Sequence, residues 1–170
     1  YYDAQMNDSR LTIEIVKEAF DAGAFVYNYC TVSSVSQMDS GYSVELLFNL
    51  TGNTVEVQAD SVVLTVGPWT NDVLKRVVLQ KKQDFAKLIS PSKGIHLVLD
   101  KINTDRAIVT QTFQDDRTIF LIPWEGKTLV GTTESPYDGE PDDVSVLESE
   151  IDYLLQEVSA LYPDLDIGRH

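Results

Sequence analysis

Tyr42-Ser43-Val44-Glu45-Leu46-Leu47-Phe48-Asn49, then Thr51-Gly52-Asn53, then Thr54-Val55-Glu56-Val57-Gln58, is the clearest antiparallel pair in the chain. Tyr42, Val44, Leu46 and Phe48 alternate with Ser43, Glu45 and Asn49, so this strand buries one face. Thr51-Gly52-Asn53 is a turn, and 54–58 returns with Val55 and Val57 inward. Upstream, Asp39-Ser40-Gly41 is a second turn signal, preceded by β-rich stretches at 25–29 and 31–38. These segments predict a β-meander. Further upstream, Asp8 suits the N-cap of a helix over 8–22, with Leu11, Ile15, Ala19 and Ala22 as its apolar stripe and Gly23 as the left-handed stop.

Downstream, Val62-Val63-Leu64-Thr65-Val66 is a short continuous apolar run, as in a strand covered on both faces. It ends in Gly67-Pro68-Trp69-Thr70-Asn71, and Val73, Leu74 and Val77 predict a helix there. Residues 79–92 are charged and irregular and read as a loop or crossover. Four strands follow at 94–99, 107–112, 118–122 and 128–131, with a hairpin turn at Glu125-Gly126-Lys127. Ser145 with Glu148 is a capping-box signature. Leu147, Ile151, Leu154, Leu155, Val158 and Leu161 then form a helical stripe that Pro163 ends. Runs of strands with helices between them predict an α+β fold with a mixed, largely antiparallel sheet and flanking helices.

The 170 residues suffice for one ordinary domain with a core, and 43% hydrophobic with 24% charged residues fits a globular protein. The net charge of -14 argues against nucleic acid as a partner, which needs a basic footprint. The single cysteine, Cys30, excludes an internal disulfide and reads as a small buried hydrophobe. No apolar run approaches the roughly 20 residues of a membrane helix. The chain opens on Tyr1-Tyr2-Asp3 and closes on Gly168-Arg169-His170, which reads as an internal segment of something longer.

No dinucleotide-binding GxGxxG, P-loop, metal-ligand cluster or nucleophile elbow occurs in the sequence, so no metal site is expected. Three segments stand out. Gly67, at the end of an apolar run, permits close approach of backbone or ligand, although an ordinary strand-to-helix turn is the simpler reading. Ser92-Lys93-Gly94-Ile95-His96 offers a cation suited to phosphate and an imidazole suited to proton transfer beside a glycine. The bland alternative there is a solvated lysine and a packed histidine. Val130-Gly131-Thr132-Thr133-Glu134 ends a hairpin with small hydroxyls and a carboxylate, or simply caps a strand.

Taken in order, Tyr2-Asp3, Asn7-Asp8-Ser9-Arg10-Leu11, Thr65-Val66-Gly67-Pro68-Trp69, Lys93-Gly94-Ile95-His96, Ile122-Pro123-Trp124 and Gly131-Thr132-Thr133-Glu134 resemble the FAD-dependent glycerol-3-phosphate dehydrogenase and oxidase family. The acidic helix at 145–162 fits as well. Two positions depart from that pattern: Glu134 stands where aspartate is usual, and Val66 where a small residue is usual.

The resemblance implies a fragment of a two-domain flavoprotein whose FAD-binding and substrate domains interleave along the chain. Residues 1–22 would begin the substrate domain, 23–87 would be part of the FAD-binding domain, and 88–170 would be substrate domain again. The implied reaction oxidises glycerol 3-phosphate to dihydroxyacetone phosphate with hydride transfer to FAD, and quinone or oxygen is the electron acceptor. By position, His96 would be catalytic, and Lys93, Thr132 and Thr133 would bind substrate. Val32, Gly67, Pro68 and Trp69 would contact the cofactor. The glycine-rich FAD motif and the family's Gly-x-Arg-Pro segment are not in this sequence, so the piece alone is expected to be inactive. Its uncovered apolar faces predict self-association. The implied location is cytoplasmic, peripheral on the membrane where quinone is the acceptor. Two alternatives stay open: a related flavin amine or amino-acid oxidase, and a non-catalytic binding domain of the same fold.

Overall fold

A computed structural model describes residues 4–78, 86–102 and 105–167. The Tyr2-Asp3 match, residues 79–85 of the expected 79–92 loop and His170 lie outside these. The chain divides into two compact units. One runs up to Thr65 and resumes at Asp72, and the other comprises Val66–Asn71 and the residues from Ala86 onward.

In the first unit, helix α1 spans Asp8–Asp21. Its N-cap is Asn7, one residue earlier than the sequence suggested. The Asn7 side chain accepts the Arg10 N–H at 3.0 Å, while Asp8 has already entered the helix. Gly23 (φ 95°) ends it in the expected left-handed conformation. The stripe of Leu11, Ile15, Ala19 and Ala22 is present, but only Ala19 is even half-buried, and no α1 residue is buried.

A three-stranded antiparallel meander follows: β1 Cys30–Gln37, β2 Tyr42–Phe48 and β3 Asn53–Ala59, in that spatial order. Gly41 (φ 75°) makes the first turn, where a Cβ would collide with the Ala59 carbonyl. The register slips between Val32 and Ser34, a bulge at which the Ser33 hydroxyl turns to the Glu45 carbonyl at 3.2 Å. Val44 pairs with Val35 and Val57. Val35, Val44 and Val77 form the small core of this unit, flanked by Tyr42, Leu46, Val62 and Val73. Cys30 is half-buried at the start of β1.

Four expectations are corrected here. Residues 25–29 are not a strand, and Phe25 is 89% exposed. Residues 62–66 are not a strand either, with Val63 81% exposed. Both segments carry β-forming residues, but among the described residues neither has a neighbouring strand to complete its backbone hydrogen bonds, and propensity without a partner makes no sheet. Val55 and Val57 share the face of Val44 and Leu46 yet stay exposed, because the covering segment that carries Val77 packs on β1 at the other edge of the sheet. The helix expected after residue 66 is a succession of tight pieces: a 3-10 turn at Gly67–Trp69, α2 at Thr70–Val73 and a π-turn at Leu74–Val78.

The second unit has a four-stranded antiparallel sheet built from β5 His96–Leu99, β6 Ile108–Gln111, β7 Thr118–Trp124 and β8 Lys127–Gly131, in the order β5-β8-β7-β6. A short pair, β4 Ser92–Lys93 with β9 Ser135–Pro136, lies beside it. The β7–β8 hairpin closes on Glu125 (φ 48°) and Gly126 (φ 82°), and positive φ at both central residues matches the right-handed strand twist. Pro123 is tolerated in β7 because β6 pairs only as far as Leu121, so the missing amide costs no ladder bond on that side.

Helix α3, Glu148–Leu161, covers one face of this sheet. Ile119, Leu121, Val130 and Val158 are fully buried there, with Leu99, Ile108, Leu161 and Tyr162 packed around them. The helix begins at Glu148 rather than Ser145: Leu147 is the N-cap residue, and the Glu150 carboxylate accepts its backbone N–H at 2.8 Å. The expected stripe is also rotated. Glu150, Leu154, Glu157 and Val158 are its buried residues, while Leu147 is exposed. Buried Glu157 accepts the backbone N–H groups of Phe113 (2.7 Å) and Gln114 (3.2 Å), a partner set that offsets its desolvation.

Candidate functional site

Alternation along the four strands leaves the second sheet face open. His96 and Val98 of β5, Phe120 of β7 and Val109 of β6 all point to that side and are exposed. His96 stands opposite Gly131, which stands opposite Phe120 on the next strand. Gly131 is buried and lacks the side chain that would fill this row. A Cβ built on it would come 2.7 Å from Cγ and 2.9 Å from Nε2 of His96, so the imidazole lies across the glycine. An alanine here would displace the ring.

The chain leaves β8 through Gly131-Thr132, a cis peptide, into Thr132 and Thr133. This segment is tied to the approach of β5. The Ile95 N–H donates to Thr133 Oγ1 at 2.9 Å, and the Thr133 N–H donates to the Ile95 carbonyl at 3.3 Å. Gly94 sits so close that a Cβ would overlap Thr132 Oγ1 and the Thr133 carbonyl oxygen. The Thr132 hydroxyl donates to the Thr133 carbonyl at 2.7 Å. Arg117 holds the next carbonyl, Glu134, through Nη1 at 2.6 Å. His96, Thr132 and Thr133, remote in sequence, are therefore neighbours at one end of the sheet.

Lys93 is in the same cluster but faces inward. Its Nζ is 2.8 Å from Glu150 Oε2 and donates to the Ser145 carbonyl at 2.8 Å, with the two side chains 6% and 10% exposed. Burial pushes the Glu150 carboxyl up. The hydrogen bond from Lys93, the Leu147 N–H, the Lys93 charge and the Thr133 hydroxyl outweigh it, and the net result lies below the ordinary 4.5. Beside this pair is a shallow hollow of about 390 Å³ lined in part by Arg117, Thr133, Glu134, Ser135 and Tyr153. Asp115 fixes its rim. The Tyr153 hydroxyl donates to Asp115 at 2.7 Å and that of Thr112 at 2.8 Å, and Arg117 pairs with it at 2.9 Å. Those hydroxyls, Tyr153 foremost, hold the Asp115 carboxyl below its usual range.

The cofactor candidates fall in both units. Gly67 (φ 53°), Pro68 and Trp69 form a turn in which the Thr70 hydroxyl donates to the Gly67 carbonyl at 2.6 Å and Trp69 Nε1 donates to Asp142 at 3.3 Å. Among the described residues nothing lies within 4 Å of a Cβ position on Gly67, so none of them crowds this turn. Asn71 anchors the segment by accepting the Leu88 N–H and donating to the Ile89 carbonyl, each at 2.8 Å. Val32 lies in the other unit, on edge strand β1, next to the bulge. Sequence reasoning missed Glu150 and Arg117. The buried spacing Glu150, Leu154, Glu157, Val158 was a usable signal for the first, since carboxylates on an apolar stripe must have internal partners. No pattern marked Arg117.

A family model described as FAD dependent oxidoreductase matches residues 1–170. The chain belongs to that family. It is 34% identical to the aerobic glycerol-3-phosphate dehydrogenase of Staphylococcus haemolyticus over 98% of its own length and 30% of that protein's. Identity is also 34% to the alpha-glycerophosphate oxidase of Streptococcus pneumoniae, covering 98% of this chain and 28% of the other. Among solved structures, it is similar to the glycerol-3-phosphate dehydrogenase of Bacillus halodurans complexed with FAD, with a TM-score of 0.85 and 33% identity over 96% of this chain and 33% of that one. This member of the FAD dependent oxidoreductase family thus spans about a third of the length of the relatives it matches. Among its described residues, no helix is long and apolar enough to cross a membrane.

Proposed function

We propose that this chain is part of a flavoprotein that oxidises sn-glycerol 3-phosphate to dihydroxyacetone phosphate. The observation that carries the reading is His96 lying across side-chain-free Gly131 at the edge of an open, apolar sheet face, with Thr132 and Thr133 beside it. Such a face suits a flat ring system above the sheet, and the imidazole and hydroxyls suit an alcohol at its edge. FAD, when bound, supplies the hydride acceptor. His96 accepts the hydroxyl proton on an imidazole nitrogen, which histidine does well near neutral pH. Thr132 and Thr133 bound the substrate side. Gly67, Pro68 and Trp69, at an uncrowded turn, would help hold the cofactor, as would the backbone at Val32.

On this reading residues 1–22 and 88–170 belong to the substrate domain and 23–87 to the FAD-binding domain. The electron acceptor is a quinone or oxygen, since the relatives include both a dehydrogenase and an oxidase by name. The location is cytoplasmic, peripheral on the membrane where quinone is used. The test is flavin reduction and steady-state oxidation of glycerol 3-phosphate by the full-length protein that carries this chain. His96→Ala should cost about 10²- to 10⁴-fold in rate, the span of general-base catalysis, at unchanged flavin content. Reduction by an amine but not by glycerol 3-phosphate would move the protein to the amine-oxidase reading.

A further inference from the structure

Lys93 precedes His96 by one short segment, and its charge would suit a substrate phosphate. Its surroundings give it another task. Two of its three N–H donors are spent inside the protein, on Glu150 Oε2 and on the Ser145 carbonyl. Glu150 Oε2 also receives the Leu147 N–H, so the same carboxylate organises the first turn of α3. From Lys93 the chain runs through Gly94, packed against Thr132 and Thr133, to Ile95, which exchanges two hydrogen bonds with Thr133, and then to His96. Lys93 also pairs through β4 with Ser135, on the far side of the threonines.

We propose that the buried Lys93–Glu150 ion pair is a positioning device for the His96 site. It pins the strand entering His96 and the Thr132–Thr133 segment to the start of α3, and it does not grip the substrate. The inference rests on the proposed function and deepens it. A buried ion pair adds little stability over a packed apolar pair, whereas one partner left alone is strongly unfavourable. The pair's contribution is therefore geometric, and its loss should appear in turnover more than in substrate affinity.

The experiment uses the full-length flavoprotein with glycerol 3-phosphate, comparing wild type, Lys93→Met, Glu150→Gln and the double variant Lys93→Met/Glu150→Met. Lys93→Met should lower kcat about 10- to 100-fold, the cost of a misplacement near 1 Å, with KM held within about threefold and flavin absorbance per protein unchanged. Glu150→Gln should move kcat in the same direction. The double variant should recover most of the kcat lost in Lys93→Met, because no charge is then buried alone. A rise in KM of about tenfold or more with kcat intact, persisting in the double variant, overturns the proposal and makes Lys93 an anion-binding residue. Unchanged kinetics in both single variants overturn it too. Should Lys93→Met fail to fold, KM of the double variant decides alone: near wild type supports positioning, and raised refutes it. A wild type whose flavin is not reduced by glycerol 3-phosphate overturns the functional reading and this inference together, whereas an active wild type confines any failure to the pair.

Discussion

Gly131 and His96 occupy one spot on the sheet, and that shared space is a testable constraint. Gly131→Ala places a methyl group where the imidazole lies, so the ring must rotate away. Overpacking of this kind costs about 1–3 kcal/mol. The expected result is a kcat loss approaching that of His96→Ala with only a modest fall in the thermal midpoint. A wild-type kcat would show that the ring position is unimportant. Glu150 makes a pH prediction. Its folded carboxyl sits below the ordinary 4.5, so it contributes stability above that value and loses it as pH falls through the lowered one. Glu150→Gln should therefore flatten the acid limb of a stability-against-pH curve below about pH 4.5, the unperturbed glutamate range. Unchanged acid sensitivity would assign the acid limb to other groups, such as Asp115 or Asp72, whose carboxyls are also held low by hydrogen bonds, that of Asp72 by Arg76. At this scale the sequence was legible where chemistry is local. Histidine, threonine and glycine could be named as candidates from their own properties. The burial of Lys93 was not legible, because a lysine reads as solvated until a carboxylate from a distant helix is seen beside it.

The β7–β8 hairpin and helix α3 carry the next predictions. Glu125 adopts φ 48° at the first central turn position, where asparagine is the preferred side chain. Glu125→Asn should stabilise the protein by about 1 kcal/mol or less, seen as a raised denaturation midpoint, since asparagine tolerates the left-handed conformation at lower strain. Leu154 is fully buried on α3, and Leu154→Ala should cost about 2–5 kcal/mol by transfer and cavity terms. A loss below 1 kcal/mol there would mean that α3 is not seated on the sheet as described. The hairpins and both long helices were readable because turn glycines and apolar periods are local signals. Residues 25–29 and 62–66 have the same β-rich composition and are not strands. Their failure is physical: a strand is half of a hydrogen-bonded pair, and composition does not say whether the other half is present. The shift of the α3 start from Ser145 to Leu147 has a similar origin. The Ser145 carbonyl is engaged by Lys93, and the Glu150 carboxylate serves the Leu147 N–H.

Across the whole molecule, the exposed side chains of α1, Leu11 and Ile15 on one side and Ile13 and Phe20 on the other, have no cover within the described residues. The isolated 170-residue chain is therefore expected to self-associate, and sedimentation velocity should show species heavier than a monomer that grow with concentration. A single monomeric boundary at tens of micromolar would count against this. The sequence by itself determined the α+β class, the meander, the β7–β8 hairpin, the two long helices and a family resemblance that the comparisons bear out. All of these are carried by residue order and short-range spacing. Tertiary structure alone decided that a histidine would lie across a glycine from another strand, that a lysine would be withdrawn from solvent to meet a helix carboxylate, and which apolar runs would find partners. Those outcomes depend on which remote backbone segments come within a few ångströms, and a pattern of neighbours along the chain does not encode that distance.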